Sequence, residues 1–405
     1  MKVRGFKASA VKSGIRGKDR LDLGLIVSEV PAAAAGVFTT SRVQAAPVVL
    51  GRQRLAGGRA QAILVNSGIA NACTGAGGML NARLCGAMVA DAFGIEEGLV
   101  QPASTGVIGM PLDVECFRLG IPKLQAALAG DAVSIEAAGV TETGLEAVAR
   151  AMMTTDTVPK TADRSCKIGG VEVYLAGVAK GAGMIMPDMA TMLCFILTDA
   201  AVDHGLLRTM LKQSVDASFN RITIDGDTST NDTVLLLANG KAGAPLLVPG
   251  SQEQLLFQQQ LDEICLDLAR QIVRDGEGAT KLVTVRVAQA ADEGQARAAA
   301  RTIANSSLVK TAFFGEDANW GRIIAALGRS GAEFDPEVVS IAFDDVVMVE
   351  NGVGLGAEVE AAATEVLRRP EFTVTVKLRA GSADADYLTC DFSLDYVKIN
   401  ADYRT

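Results

Sequence analysis

Short apolar runs punctuated by glycine and proline fill the first hundred residues. Leu23 to Val27, Pro47 to Leu50 and Ala62 to Asn66 are each bounded by turn-forming residues, and their spacing predicts strands of a mixed sheet. The rhythm then changes. A polar, glycine-rich loop, Asn66 to Gly78, runs into a predicted helix near Ala82 to Phe93. Thr143 to Met152 carries apolar residues at 145, 148, 149 and 152 behind a Thr143-x-x-Glu146 capping box, which predicts a second helix. The sharpest break falls at Lys180 to Cys194. Its first part is a loop of Gly, Met and Pro that cannot be a regular helix, and its second, Met192 to Leu197, is an apolar run expected to form a buried strand.

Beyond that point the alternation is more regular. Helices are expected from Leu206 to Ala217, Gln252 to Val273, Glu293 to Ser306 and Trp320 to Leu327. Strands are expected at Val234 to Leu237, Leu282 to Val287, Val339 to Phe343, Glu371 to Lys377 and Tyr387 to Phe392. Strands interleaved with helices predict an α/β protein. No repeat and no low-complexity linker divides it.

Composition narrows the picture. Of 405 residues, 49% are apolar but only 4% aromatic, so the core must be built from Ala, Val, Leu, Ile and Met. A net charge of −9 argues against nucleic acid as a partner, which would require a basic face. No apolar run approaches the ~18 residues of a membrane span. Seven scattered cysteines without a Cys-x-x-Cys pair read as reduced, mostly buried thiols of a cytosolic protein, not as a disulfide frame or zinc site. The single histidine, His204, sits in a predicted helix start, so acid and base chemistry is expected from groups other than imidazole.

Several stretches offer such chemistry. Thr191, between Ala190 and the predicted buried strand, is by itself an ordinary strand residue; held on a rigid element it is also a candidate nucleophile. Ser104-Thr105-Gly106 reads as a β-turn, or as a row of donors suited to an oxyanion. The loop from Asn66 to Gly78 lacks the dinucleotide and P-loop spacings and is expected to be structural or substrate-lining. Thr154, in the hydroxyl-rich exit Met153 to Thr157, either satisfies free carbonyls or lines a pocket. The aspartates of Asp225 to Asp232 lack the EF-hand spacing and read as Asp-Gly turns. Glu277, flanked by glycines, reads as a solvated turn or as a ligand for an amine. Threonines and glycines beside one lysine and one glutamate, without histidine, fit a scheme in which a threonine hydroxyl is activated by its own α-amine.

Taken together, Lys180-Gly-Ala-Gly-Met184, Met189-Ala-Thr-Met-Leu193, Ser104-Thr-Gly106, Met153-Thr-Thr-Asp-Thr157, Asp225 to Asp232, Gly276 to Thr280, Asp317 to Arg322 and Ile399 to Thr405 closely resemble the ornithine acetyltransferase family of the cyclic arginine pathway. The resemblance runs from about Gly5 to Thr405, with no departure at the quoted motifs. It implies a layered α/β sandwich of sheets and helices, of the self-cleaving type shared with a group of aminopeptidases. A precursor would cut itself between Ala190 and Thr191 into an α chain (1–190) and a β chain (191–405), paired again as a heterotetramer of two of each. The reaction implied is transfer of acetyl from N-acetylornithine to glutamate through an acetyl-Thr191 ester, with Thr105 and Gly106 as the oxyanion hole. Thr154, Lys180, Glu277, Asn400 and Thr405, with Thr191, would contact substrate. Lys180 suits an amino-acid carboxylate and Glu277 an amine, and the sequence does not fix which partner each takes. No cofactor or metal is implied; some family members also accept acetyl-CoA as donor. A self-cleaving aminopeptidase or amidohydrolase, and an uncut binding protein, are the alternatives.

Overall fold

The structure is a computed structural model, and it describes residues 2–17, 20–129, 142–186 and 192–402. Ala190, Thr191 and Thr405 lie outside the described residues. Two mixed sheets organise the chain. The first contains β1 (Phe6–Val11), β2 (Leu23–Phe38), β3 (Arg59–Asn66), β4 (Val100–Ser104), β5 (Glu142–Thr143), β6 (Lys160–Ile168), β7 (Val171–Lys180), β8 (Leu193–Thr198) and β9 (Thr233–Ala238), in the order β4-β3-β2-β9-β8-β7-β6, with β1 pairing β2 and β5. The second contains β10 (Leu282–Ala290), β11 (Ser340–Phe343), β12 (Val346–Glu350), β13 (Val353–Gly354), β14 (Glu371–Lys377) and β15 (Ala383–Cys390), in the order β13-β12-β11-β14-β10-β15.

The two sheets are buried differently, and the sequence pattern says why. Every residue of β8 and β9, which run parallel, is buried. Their near-continuous apolar runs need cover on both faces. Cys194, Ile196, Val234 and Leu236 pack beneath the helices His204–Ala217 and Gln252–Arg274, whereas Leu193, Phe195, Leu235 and Leu237 pack with Val148 and Met152 of the helix Leu145–Met152. The result is a helix, sheet, helix sandwich around the start of β8. Strand β14, in contrast, alternates buried and half-buried residues, and its inward face joins the helices Glu293–Ala304, Trp320–Gly328 and Ala357–Leu367 in a second core. The two bodies meet where Thr223 N donates to Leu388 O (2.9 Å) and the Tyr387 hydroxyl to Asn220 O (3.0 Å).

The mixed sheet and most predicted elements are present, with corrections. Pro47 to Leu50 is not a strand but the opening of the helix Ala46–Leu55, where proline occupies the first turn and its missing N–H costs nothing. The predicted capping box does not form. Thr143 is drawn into β5 opposite Ser9, and Gly144 caps the helix without a side-chain bond. The predicted helix Glu293 to Ser306 stops at Ala304 and is followed by a separate helix, Ser307–Phe314. Glu277 is no solvated turn: it is only 7% exposed.

Candidate active site

Strand ends converge at one edge of the first sheet. Strand β7 ends at Lys180 where its antiparallel partner β8 begins, and β9 begins beside β8. Met192 is clamped there on both sides: its N–H donates to Asp232 Oδ1 (3.0 Å) and its carbonyl accepts from Thr233 N (3.0 Å). Asp232 is fully buried, and burial raises its carboxyl well above the usual range.

The Ser104-Thr105-Gly106 turn follows β4 at the same edge. Asn231 ties it down, donating through Nδ2 to Ala70 O (2.7 Å) and Ser104 O (2.8 Å). The Ser104 hydroxyl donates to Asn66 Oδ1 (2.6 Å), and Thr105 N to Asn66 O (3.0 Å). Gly106 has φ +132°, and a Cβ there would lie 2.2 Å from the carbonyl carbon of Gly68. Only glycine lets the two backbones approach so closely. Val100 opens β4 and, like the rest of that strand, is buried, so the turn stands on a rigid element.

A buried charge network fixes the opposite wall. Lys160 Nζ bridges Asp156 Oδ1 (2.7 Å) and Asp275 Oδ2 (2.6 Å) with none of its side chain exposed. Asp156 also accepts from Thr154 N (3.0 Å) and Gly181 N (2.6 Å). Burial opposes ionisation of Asp156, but Lys180, Lys160 and the Gly181 N–H together hold its carboxyl below the ordinary value. Lys180 donates to the Thr154 hydroxyl (2.9 Å) and lies 3.9 Å from Asp156. Its pKa is nevertheless lowered, because burial outweighs the attraction of Asp156 and Lys160 adds repulsion. An ammonium left short of compensation is a strong site for an incoming carboxylate.

Glu277 arrives from the turn after the helix Gln252–Arg274. Its Oε2 accepts from Asn400 Nδ2 (2.7 Å), on the helix Leu394–Asp402. A Cβ on Gly183 would stand 2.5 Å from the Glu277 carboxyl carbon, so glycine at 183 gives that carboxylate its seat. Asp225 accepts from Met184 N (2.5 Å), Ile185 N (2.9 Å) and Asp227 N (3.1 Å), and burial pushes its carboxyl up to about 6.

These groups enclose a cavity of about 210 Å³. Thr105, Gly106, Thr154, Lys180, Glu277 and Asn400 all line it, drawn from five separate stretches of the chain. Asp225, Asn231 and Tyr396 also line it; the first two belong to the polar run Asp225 to Asp232 that reads as Asp-Gly turns in the sequence, and Tyr396 carries no such signal. His204 does not: it packs against Gly58. Among the described residues no group of carboxylate, thiol or imidazole ligands is placed to hold a metal ion. No helix among them is long and apolar enough to cross a membrane.

Fold and site define an α/β protein with a small polar cleft that sets one lysine among several carboxylates beside the Ser104-Thr105-Gly106 turn. The chain belongs to the ArgJ family, whose model matches residues 7–405. It is 52% identical over 405 residues, all of both chains, to the arginine biosynthesis bifunctional protein ArgJ of Desulfotalea psychrophila. It is 53% identical, again over the whole of both chains, to the protein of that name from Geobacter sulfurreducens. A crystal structure of the Bacillus halodurans protein of that name, 44% identical, aligns with a TM-score of 0.50 over 52% of this chain and 98% of that one.

Two outcomes follow from the charges. Lys160→Met leaves Asp156 and Asp275 buried without their shared cation, and should cost about 3–5 kcal/mol in urea unfolding at neutral pH. Asp225, with its folded pKa raised to about 6 above an unfolded value near ~3.9, binds its proton more tightly when folded. Its contribution is therefore fully present below about pH 4 and is lost as pH rises through about 6. Relative to Asp225→Asn, the wild type should lose stability between those limits in paired unfolding titrations, and parallel curves would contradict the assignment.

Proposed function

We propose that this protein transfers the acetyl group of N-acetylornithine to glutamate, after cleaving its own chain between Ala190 and Thr191. The observation that carries the reading is the convergence of Thr105, Gly106, Lys180, Glu277 and Asn400 on one cavity at the edge where Met192 is clamped. Thr191 is bonded directly to that fixed residue. In the first step the Thr191 hydroxyl attacks the Ala190 carbonyl carbon, the peptide C–N bond breaks, and water then hydrolyses the ester to free the Thr191 α-amine.

With an unperturbed pKa of about 7.7–8.0, that amine is a base suited to neutral pH. In turnover it takes the hydroxyl proton as Thr191 Oγ attacks the acetyl carbonyl, and the Thr105 hydroxyl and Gly106 N–H stabilise the oxyanion. The amine of ornithine leaves with the proton. Glutamate's α-amine then attacks the acetyl ester and regenerates Thr191. Lys180 receives the amino-acid carboxylate, Glu277 an amine, and Thr154, Asn400 and Thr405 complete the contacts.

The relatives named as bifunctional arginine biosynthesis proteins support this reading. So does the solved chain from Bacillus halodurans, which spans about half of this chain while nearly all of it is matched, as one product of a cut precursor would be. A cut chain would associate as α and β pieces and assemble as a heterotetramer in the cytoplasm. Acetyl-CoA serves as a second donor on the same reading.

Thr191→Ala should yield an uncut and inactive chain where the wild type gives two fragments by denaturing mass analysis; a cut Thr191→Ala product would place the nucleophile elsewhere. Incubated with N-acetylornithine, the wild type should release ornithine rapidly only when glutamate is supplied. Equal release with and without glutamate would make the protein a hydrolase.

A further inference from the structure

Three carboxylates line the cavity, Asp225, Asp227 and Glu277, against the single ammonium of Lys180. Two of the three are held by the protein, although Glu277 keeps one oxygen for the amine assigned to it above. Both oxygens of Asp225 accept backbone N–H groups of Met184, Ile185 and Asp227, and Glu277 accepts from Asn400 beneath Gly183. Asp227 differs: its side chain is exposed and makes no hydrogen bond or ion pair among the described residues. It nonetheless lines the same cavity as the other two, beside Tyr396.

The proposed reaction passes two amino acids through one cavity. They share an α-carboxylate and carry opposite charges at the far end, an ammonium in N-acetylornithine and a carboxylate in glutamate. Lys180 is suited to the α-carboxylate that both share. An uncommitted carboxylate at the mouth attracts one side chain and repels the other, with no reorganisation of the site.

We infer that Asp227 is a specificity-determining residue, which recognises the side-chain ammonium of the acetyl donor and disfavours the side-chain carboxylate of the acceptor. This rests on the acetyl-transfer reading above. An exposed ion pair is worth little, so removing the charge should change affinity by about three- to fivefold and leave the chemical step intact.

The test is steady-state kinetics on the mature enzyme with both substrates, comparing wild type, Asp227→Asn and Asp227→Glu. In Asp227→Asn the KM for N-acetylornithine should rise about three- to fivefold at near-constant kcat, while the KM for glutamate falls or holds. The wild-type preference for N-acetylornithine over N-acetylnorvaline, which lacks the ammonium, should shrink by the same factor, and Asp227→Glu should restore it. A rise in both KM values by one factor, or no change in either, overturns the assignment. Failure of the wild type to move acetyl from N-acetylornithine to glutamate would instead sink the underlying reading, before any variant is compared.

Discussion

Lys160 is the interaction on which the cleft depends. A lysine with no exposed side chain must hold its charge against a large desolvation cost, and it does so by lying between Asp156 and Asp275. Those aspartates sit at the ends of different elements. Asp156 follows the helix Leu145–Met152 and fixes the backbone of Thr154 and Gly181; Asp275 follows the helix Gln252–Arg274, takes the N–H of Thr157 (3.0 Å), and stands two residues before Glu277. One ammonium therefore sets the relative positions of Thr154, Lys180 and Glu277. A hydrophobic side chain of similar volume would fill the space but could not orient three backbone segments at once.

The same logic explains why a cut in the chain would leave the site intact. The described residues before and after the proposed junction are joined by two complete ladders, β7 with β8 and β2 with β9, and by the Lys160–Asp275 pair. Asn231 adds hydrogen bonds from the later segment to Ala70 and Ser104 of the earlier one. Cavity residues come from both sides, Thr105 and Lys180 from the first, Glu277 and Asn400 from the second. The sheet and the buried pair would hold this arrangement together across such a cut.

Much of the fold was legible because burial writes itself into the pattern. Strands β8 and β9 are covered on both faces and read as unbroken apolar runs, and the long helix Gln252–Arg274 carries a clear apolar stripe. Where one face meets solvent the signal fades. Strand β6 alternates buried or half-buried residues with exposed ones in Lys-Thr-Ala-Asp-Arg-Ser-Cys-Lys-Ile and went unread, and the helix Leu394–Asp402 buries no residue at all, so it has no stripe to find. Pro47 to Leu50 is short and apolar, a pattern that periodicity cannot divide between strand and helix. For the site, residue types such as Thr105, Gly106, Lys180 and Glu277 could be picked out by their chemistry and family resemblance. Lys160 and Asp225 could not: their importance lies in partners over a hundred and about forty residues away, which no local window contains.

Asp232 shows how the cleft would accommodate an amine that must stay unprotonated. On the reading proposed above, the base is the α-amine of Thr191, one residue from the Met192 N–H that Asp232 accepts. An ionised carboxylate so near would favour the ammonium form and raise its pKa, removing the base at neutral pH. Burial drives Asp232 the other way, toward its neutral acid, although the Met192 N–H and the charge of Lys180 oppose it. Asp232 thus keeps the hydrogen bond that locates the strand end while its burial weighs against a negative charge there. Lys180 acts in the same sense, since a cation in the same cleft disfavours a second one. On that reading the two groups would supply, by burial and by charge, the conditions that a histidine creates with its own intrinsic pKa.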